Sequence, residues 1–307
     1  MEWRKRGIVW CPESGHPLMS SHAIAPTPFL LSPSVIRVFV TVQDPQGRGR
    51  PTYFDVSATD PAKVLGVAPG PLLDVGVPGT FDDNGLMALS VVRGASGQLM
   101  MYYVGFELCQ QIRYRLFTGL AISDDNGASF KRYSQAPILD RSDSELFFRG
   151  GAFALMEEGR FRLWYVAGSS WTEINGKSMP VYDLRYQESP DGIHWADQGR
   201  TVLQITDPDE HGFGRPWVTR LPNGQYHLFY SIRRCSYGAY RLGYAESSDG
   251  IAWVRRDAAM GLDVSPTGFD SDAIMYSAVI TVAGKTYCFY NGNNFGEDGV
   301  ALAEMVD

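Results

Sequence analysis

The chain consists of short apolar segments rich in aromatic residues, separated by turns. Four such segments are MMYYVG (100–105), RLWYVAG (162–168), HLFYSI (227–232) and YCFYNG (287–292), and IRVFVTV (36–42) is a looser fifth copy. Most follow a hairpin signal such as RGASGQ or LPNGQ, and another apolar run precedes each hairpin. The i, i+3, i+4, i+7 spacing of amphipathic helices is almost absent. The pattern predicts an all-β fold.

A second motif recurs in step with the aromatic segments. Its copies are ISDDNGASF (122–130), ESPDGIHW (188–195) and ESSDGIAW (246–253). Each combines an acidic residue and a glycine in a tight turn with a large aromatic residue after it. Asp and Gly satisfy the backbone of such turns, so we interpret the motif as the connection between a third and a fourth strand, and as scaffold. A repeat of four short strands indicates the blade of a β-propeller.

We predict one domain, a five-bladed β-propeller of four-stranded antiparallel blades that spans residues 1–307. The predicted blades cover about 18–75, 80–140, 146–205, 213–264 and 270–307, with residues 1–12 added to the last. The last blade lacks an outer strand after GVALAEMV, so the N-terminal WRKRGIVW is expected to supply it. Closure of this kind protects sheet edges.

Composition excludes several classes of protein. The 307 residues are 44% hydrophobic and carry a net charge of −7 without a Lys/Arg run, which argues against nucleic-acid binding. The four cysteines form no CxxC pair, which predicts reduced thiols. No secretory leader and no apolar run of membrane-spanning length are seen, so we expect a soluble, cytoplasmic protein. Oligomeric state is left open.

Charged residues recur in the segments that open the innermost strand of each predicted blade. These segments would line the central funnel, and charge clustered at one point favours a functional site over the alternative of structural ion pairs. The segments are SSHAIAP (20–26), TFDDNG (80–85), FFRGG (147–151), GFGRPW (212–217) and GFDSDAI (268–274). Their candidate residues are His22, Asp82, Asp83, Arg149, Arg215, Asp270 and Asp272.

The chain resembles the five-bladed β-propeller superfamily of arabinanase-like and invertase-like glycoside hydrolases and mannoside phosphorylases. The resemblance rests on the openings FDDNGLMALSVVRGASGQLMMYYVG and FDSDAIMYSAVITVAGKTYCFYNG and on the acidic-Gly turns. It implies glycosyl cleavage or transfer by two carboxylates, an acid and a base or nucleophile. By position these are Asp82 or Asp83 and Asp270 or Asp272. Glu145 and Glu210 are further candidates for the general acid.

The chain departs from that superfamily at several motifs. NDPNG and RDP are missing, and the first and third blades carry SHAIAPTPF and FRGGAFALM where hydrolases have an Asp and a Glu. Two alternatives therefore stay open: phosphate- or sugar-phosphate-dependent transfer that uses Arg149 and Arg215, and a non-catalytic sugar-binding propeller.

Further side chains are candidates for binding a carbohydrate or an activated sugar. Two histidines, His22 and His211, accompany the arginines, and four aromatic residues could stack on sugar faces: Phe148, Trp171, Trp217 and Tyr276. The polar insert 168–186 and RRCSYGAYR (233–241) are interpreted as rim loops. No metal-binding spacing occurs, so no cofactor is predicted, and a Ca²⁺ held by the funnel carboxylates is left open.

Overall fold

The computed structural model describes residues 1–13 and 15–306 and is all-β. In this part of the chain there are twenty strands, a single α-helical turn, α1 (Asn293–Gly296), and a 3-10 turn at Asp257–Ala259. The prediction of an all-β fold from the repeating apolar segments is confirmed.

The strands lie in three sheets, of four, twelve and four strands, in which we distinguish five groups of four antiparallel neighbours. The first group contains β2 (Ser21–Ser32), β3 (Val35–Gln43), β4 (Gly49–Ser57) and β5 (Val64–Val67). The second contains β6 (Leu86–Arg93), β7 (Leu99–Leu108), β8 (Tyr114–Ser123) and β9 (Lys131–Arg132). The third contains β10 (Phe148–Glu157), β11 (Arg160–Ile174), β12 (Lys177–Ser189) and β13 (Arg200–Leu203). The fourth contains β14 (Glu210–Arg220), β15 (Tyr226–Arg234), β16 (Tyr240–Ser247) and β17 (Val254–Arg255).

The fifth group is completed by the N-terminal strand. Its members are β18 (Met275–Val282), β19 (Lys285–Asn291), β20 (Val300–Met305) and β1 (Trp3–Trp10), in the order β1-β20-β19-β18. The antiparallel ladder of β1 and β20 runs from Trp3 opposite Met305 to Trp10 opposite Val300. Exposed and half-buried residues alternate along β1, as expected of an outermost strand with one face toward water.

The chain divides into two compact units. Unit 1 contains residues 1–74, 217–231 and the chain from 239 onward, and unit 2 contains residues 75–216 and 232–238. The first and fifth groups belong to unit 1, and the second and third belong to unit 2. The fourth group is divided, because β14 and β15 each contribute residues to both units. Within unit 2, short parallel contacts join the groups, with Phe148 opposite Leu116 and Tyr182 opposite Gly212.

The three acidic-Gly turns lie between the third and fourth strands of their groups, as predicted. In each, the serine Oγ accepts a hydrogen bond from the glycine N–H at 2.8 to 3.0 Å and donates one to the aspartate at 2.7 to 2.9 Å. The residues are Ser123, Asp125 and Gly127; Ser189, Asp191 and Gly192; and Ser247, Asp249 and Gly250. The turns are therefore scaffold.

The turn aromatics also help to build the core. In unit 2, Tyr102 of β7 donates a hydrogen bond to the Gly192 carbonyl at 2.8 Å, and Trp195 packs edge-on against Tyr102 with ring centroids 6.4 Å apart. These residues join a buried cluster that contains Leu120, Leu163 and other side chains of β7, β8, β10 and β11. The turn of the third group thereby packs on the strands of the second group.

Candidate functional site

Asp82 is a fully buried carboxylate held by three side chains of unit 2. Its Oδ2 lies 2.8 Å from Arg132 Nη2 and accepts a hydrogen bond from the Tyr103 hydroxyl at 3.2 Å, and Thr80 donates to Oδ1 at 3.0 Å. Burial and the charge of Asp82 raise the pKa of Tyr103, so the hydroxyl stays protonated and donates. From the loop before β6, Asp82 thus contacts the second and fourth strands of its group.

Asp270 has the same arrangement in unit 1. It is buried before β18, and its Oδ2 lies 2.6 Å from Lys5 Nζ on β1 and accepts a hydrogen bond from the Tyr290 hydroxyl on β19 at 3.1 Å. The repeated Phe-Asp sequence that aligns Asp82 with Asp270 thus places two carboxylates in equivalent structural positions.

Glu145 occupies the corresponding place in the third group. Its carboxylate lies 2.6 Å from Arg149 Nε and 3.2 Å from Arg185 Nη1, and it accepts hydrogen bonds from the Tyr165 hydroxyl at 2.9 Å and from Gly199 N–H at 3.0 Å. Because Glu145 is completely buried, this set of partners compensates the cost of removing its charge from water.

A carboxylate, a tyrosine and a cation therefore recur in four groups. The fourth group has Asp257, which sequence reasoning missed, with the Tyr230 hydroxyl and with Arg255 at 2.6 Å. The signal was the tyrosine shared by the aromatic segments, namely Tyr103, Tyr165, Tyr230 and Tyr290. These contacts give the carboxylates a structural role, and a catalytic role for Asp82, Asp270 or Glu145 stays a prediction from the sequence.

The other predicted carboxylates lie in different surroundings. Asp83 is half-buried and accepts hydrogen bonds from Gly79 N–H at 2.8 Å and from the Asn84 amide. Asp272 is exposed. Glu210 is buried at the start of β14, where its Oε1 lies 3.6 Å from Arg234 Nη2.

The two predicted phosphate-binding arginines are both buried in unit 2 but have different contacts. Arg149 donates to the carbonyls of Asp140 at 2.6 Å and Ala196 at 2.7 Å, in addition to its ion pair with Glu145. Arg215 has a φ of 38° and lies 3.5 Å from the Leu89 carbonyl. The two guanidinium groups share none of these partners, and both terminal nitrogens of Arg149 donate to backbone carbonyls.

In unit 1, two predicted ligand-binding residues have strained backbones. His22 and Tyr276 have φ values of 60° and 58°, and such strain in non-glycine residues concentrates at functional sites. Burial lowers the pKa of His22, whose Nδ1 lies 2.8 Å from Ser21 Oγ. Trp217 is buried, and its indole N–H donates to the Val279 carbonyl at 2.8 Å.

The insert 168–186 joins the second and third strands of its group as predicted, but as a β-hairpin and not as a loop. After a register shift between Ala167 and Ser170, β11 and β12 pair from Ser170 opposite Val181 to Ile174 opposite Lys177. At its tip, Asn175 and Gly176 have φ values of 51° and 72°. Two consecutive positive φ values define the tight turn that Asn-Gly favours, a sequence signal that was overlooked.

This hairpin positions His211 of β14. Trp171 lies opposite Pro180 in the ladder, and His211 Nδ1 donates a hydrogen bond to the Pro180 carbonyl at 3.0 Å. A carbonyl can only accept, so the neutral ring carries its proton on Nδ1 and its lone pair on Nε2. No residue in the described ranges 1–13 and 15–306 bonds Nε2, although His211 is only 6% exposed.

The charge state of His211 follows from its surroundings. Burial lowers the pKa of His211, and the positive charge of Arg233 lowers it further. The hydrogen bond to Pro180 and the negative charge of Asp209 act in the opposite direction, but the net shift is downward. The imidazole is therefore neutral near pH 7. A buried neutral imidazole with a free lone pair can accept a hydrogen bond from a hydroxyl group of a ligand.

The hairpin that carries Pro180 also contributes to a group of aromatic rings in unit 2. Trp171 packs against Tyr114 and Phe148 with ring centroids 5.3 Å apart in both cases, and Phe148 is 5.6 Å from Tyr182. The Arg233 guanidinium lies 5.8 Å from the centre of the Tyr182 ring. Among residues 1–13 and 15–306, the buried Trp171 indole N–H has no hydrogen-bond acceptor. We call Trp171, Tyr182, His211 and Arg233 the His211 cluster.

The second predicted rim segment is attached beside this cluster. Cys235 N–H donates to the Asp209 carbonyl at 2.7 Å, and Ser236 Oγ donates to Asp209 Oδ2 at 2.6 Å. The hydrogen bonds that the Ser236 hydroxyl and N–H donate to the carboxylate lower the pKa of Asp209. They also fix the chain after β15 against the residues that begin β14. Of the sequence-predicted residues, Trp171 packs against Phe148, and Glu210 and His211 are neighbours at the start of β14, whereas sequence reasoning missed Tyr182 and Tyr114.

A pocket beside Asp82 has a volume of about 100 Å³ and includes Thr80, Arg132 and Gln135 in its lining. It is well below the ~300 Å³ at which small-molecule sites begin. In the part of the chain that the structure describes, no group of three or more His, Cys, Asp or Glu residues could hold a metal ion, and no helix is long and apolar enough to cross a membrane.

Comparison with solved structures defines the fold class. A glycosyl hydrolase from Bacteroides ovatus has a TM-score of 0.70 at 15% identity, with 99% of this chain and 92% of that protein covered. The GH43_1 enzyme from Xanthomonas citri in complex with xylose has a TM-score of 0.66 at 15% identity, with 95% and 90% covered. A thermostable family-43 glycoside hydrolase has a TM-score of 0.64 at 17% identity, with 96% and 93% covered. The chain has the fold of these glycoside hydrolases, as its motifs predicted.

Sequence comparison defines the family. No family model matches the chain. It is 32% identical over 306 residues to the uncharacterized protein Rv1502 of Mycobacterium tuberculosis H37Rv, with 99% of both chains covered. The same identity and coverage relate it to the uncharacterized protein MT1551 of Mycobacterium tuberculosis CDC 1551. The chain belongs to the family of Rv1502.

Proposed function

We propose that the protein is a carbohydrate-active propeller, with the five strand groups as its blades, and that it binds a saccharide at the His211 cluster. The observation that carries the proposal is the buried, neutral His211, whose Nε2 no described residue bonds and whose Nδ1 is held by the carbonyl of Pro180, the ladder partner of Trp171. Sugars present hydroxyl donors and apolar ring faces, which an imidazole acceptor and an indole match. The glycoside hydrolase fold supports the same class of ligand.

Saccharide titrations followed by tryptophan fluorescence and calorimetry would test this proposal. We expect a saccharide from a panel of mono- and oligosaccharides to bind, and His211→Gln and Trp171→Phe to weaken that binding. His227→Gln and Trp253→Phe are matched controls in unit 1, since His227 also packs against aromatic rings and the Trp253 indole N–H also lacks an acceptor among the described residues. If no saccharide binds, or if the controls weaken binding equally, the proposal fails.

Glycosyl cleavage is a second candidate function, favoured by Asp183 on β12. Burial raises the pKa of Asp183, the ion pair with Arg185 at 3.0 Å opposes this, and the charge of Glu145 reinforces it. A side chain that stays partly accessible and keeps its proton to higher pH is suited to protonate a leaving oxygen. Asp183 follows Tyr182 directly on β12, and its recorded neighbours are Arg185 and Glu145. This mechanism requires no metal or cofactor.

Turnover of aryl glycosides with different leaving groups would test the role of Asp183. Asp183→Asn should slow the release of poor leaving groups much more than that of activated phenolates, which need no protonation. Asp55→Asn is the control, because Asp55 is also a partly buried carboxylate in an arginine pair. Equal losses for both leaving groups would contradict the acid role. Dependence of turnover on added inorganic phosphate would indicate phosphorolysis instead of hydrolysis.

A further inference from the structure

Tyr237 is an exposed aromatic residue on the segment 235–238, which follows β15 in unit 2. It is 57% exposed. Exposure by itself means little, because single apolar side chains are common on protein surfaces. What distinguishes Tyr237 is the way its backbone is held. We call residues 235–238 the Tyr237 segment.

The Tyr237 segment is anchored to Asp209 by three hydrogen bonds. Cys235 N–H donates to the Asp209 carbonyl at 2.7 Å, and Ser236 N–H and Oγ donate to the two carboxylate oxygens at 2.9 and 2.6 Å. Asp209 is itself held, since its N–H donates to Asp207 Oδ1 at 2.9 Å. The backbone immediately before the tyrosine is therefore fixed, although ordering a surface segment costs conformational entropy.

The anchor lies next to His211. Asp209 is two residues before His211 in the chain, and its negative charge acts on the imidazole, whose pKa it raises against the effect of burial. Just before the segment, Arg234 Nη2 lies 3.6 Å from Glu210 Oε1. The Tyr237 segment and the residue before it are thus tied to both residues that directly precede the histidine.

A ring presented in this way suits the binding of a sugar. The apolar C–H face of a sugar packs on an aromatic face, and tyrosine offers a large contact area with few rotatable bonds. A segment that is already fixed loses little conformational freedom when a ligand binds, so more of the contact energy appears as affinity. Tyr237 therefore offers the accessible ring that a buried ring such as Phe148 does not.

We propose that the Tyr237 ring stacks on the saccharide that His211 binds, and that Asp209 is a positioning residue that holds the Tyr237 segment for this contact. This rests on the proposed function of the His211 cluster. It adds to that site an aromatic surface that is open to solvent, and it assigns a role to the hydrogen bonds between Ser236 and Asp209.

Calorimetry with disaccharides of glucose, galactose, mannose and xylose as probes tests the stacking contact. Tyr237→Ala should weaken the tightest-binding probe about three- to tenfold, the size of one aromatic contact. Tyr237→Phe keeps the ring and should retain the affinity within about twofold. Tyr133→Ala is the matched control, because Tyr133 also lies in unit 2 and is 50% exposed.

A double-mutant cycle tests the positioning role of Asp209. Asp209→Ala removes both carboxylate contacts with Ser236 and should weaken the same probe as much as Tyr237→Ala does. The double variant should bind no more weakly than either single variant, because both changes remove the same contact. His211 stays neutral in Asp209→Ala, since loss of that negative charge lowers the pKa of His211 further.

The outcomes separate this proposal from the proposed function. Weakened binding in His211→Gln with unchanged binding in Tyr237→Ala overturns the stacking contact and leaves saccharide binding at His211 intact. Equal losses in Tyr237→Ala and Tyr133→Ala, or in the Ala and Phe variants of Tyr237, also overturn it. Losses that add in the double variant overturn the positioning role of Asp209. If neither these probes nor the wider saccharide panel binds, both proposals fail.

Discussion

The surroundings of Glu145 and of His211 differ in how their polar atoms are satisfied, although both residues are buried and both lie in unit 2. Glu145 has two arginines, a tyrosine and a backbone N–H within 3.2 Å. His211 has one hydrogen bond, to Pro180, and an Nε2 that no described residue bonds. Both residues are buried titratable groups, which makes each a candidate for a functional site. The difference leaves His211, and not Glu145, with hydrogen-bonding capacity that a ligand could use.

The largest expected effect is on stability, at Glu145. Glu145→Gln removes the charge that neutralises Arg149 and Arg185, and breaking a buried ion pair from one side costs about 3–5 kcal/mol. Urea denaturation should show this loss. Glu188→Gln is the control, because its pair with Arg160 is exposed and should change stability by less than about 1 kcal/mol. Similar losses in both variants would contradict the structural role of Glu145.

The next effect is a pH-dependent one, at Asp44 in the first group. Burial would raise the pKa of Asp44, but hydrogen bonds from the Arg48 and Gln46 backbone and from the side chains of Arg50 and Arg48 lower it to about 2. The pKa of Asp44 is lower in the folded protein than in the unfolded chain. Ionised Asp44 therefore stabilises the fold fully above about pH 5, and this stabilisation disappears as pH falls toward 2. Asp44→Asn should therefore cost about 2 kcal/mol at pH 7 and little near pH 2. A loss independent of pH, measured by denaturation at both values, would contradict this.

A smaller effect, on binding rather than folding, is expected at His211. His211→Gln should weaken saccharide binding about tenfold, the value of one hydrogen bond to a ligand hydroxyl, and leave the free energy of unfolding within about 1 kcal/mol of the parent protein. Calorimetry and urea denaturation of the same sample would measure both. A large loss of stability with unchanged saccharide affinity would instead indicate that His211, like Glu145, has a structural role.

The smallest effect is expected at the acidic-Gly turns. Ser247→Ala removes the hydrogen bonds to Gly250 N–H and Asp249, and the turn is at the surface, so about 0.5–1.5 kcal/mol should be lost. Saccharide affinity should not change. A change in saccharide affinity without a change in the free energy of unfolding would instead indicate that this turn takes part in binding.

The sequence predicted those features that depend on local pattern. The strands, the acidic-Gly turns and the pairing of Trp3–Trp10 with the last strand all follow from short segments that repeat. The β11–β12 hairpin was equally local, and Asn175-Gly176 predicts it once the dipeptide is taken as a turn signal. Each of these features is signalled by residues close together in the chain, even where the partner strand, as for β1, is distant.

The roles of charged residues could not be predicted in this way. Asp82 and Asp270 align by their Phe-Asp sequences, but their partners Arg132 and Lys5 lie 50 and 265 residues away. The contact of His211 with Pro180 likewise depends on the parallel pairing of Tyr182 with Gly212, which no local pattern indicates. Which carboxylates are neutralised within the fold is decided by these distant contacts.

The ladder between β1 and β20 has a consequence for how the protein reaches its final state. Arg4 and Glu304 are 300 positions apart and lie 2.8 Å from each other. Contacts of such separation form slowly, because a very long loop must close before they stabilise anything. On the ribosome, β1 is made long before β20, so β1 waits for its partner strand, and Asp270 gains its ion pair with Lys5 only when β1 docks. Until then, the open strand edge is exposed to mispairing with another molecule.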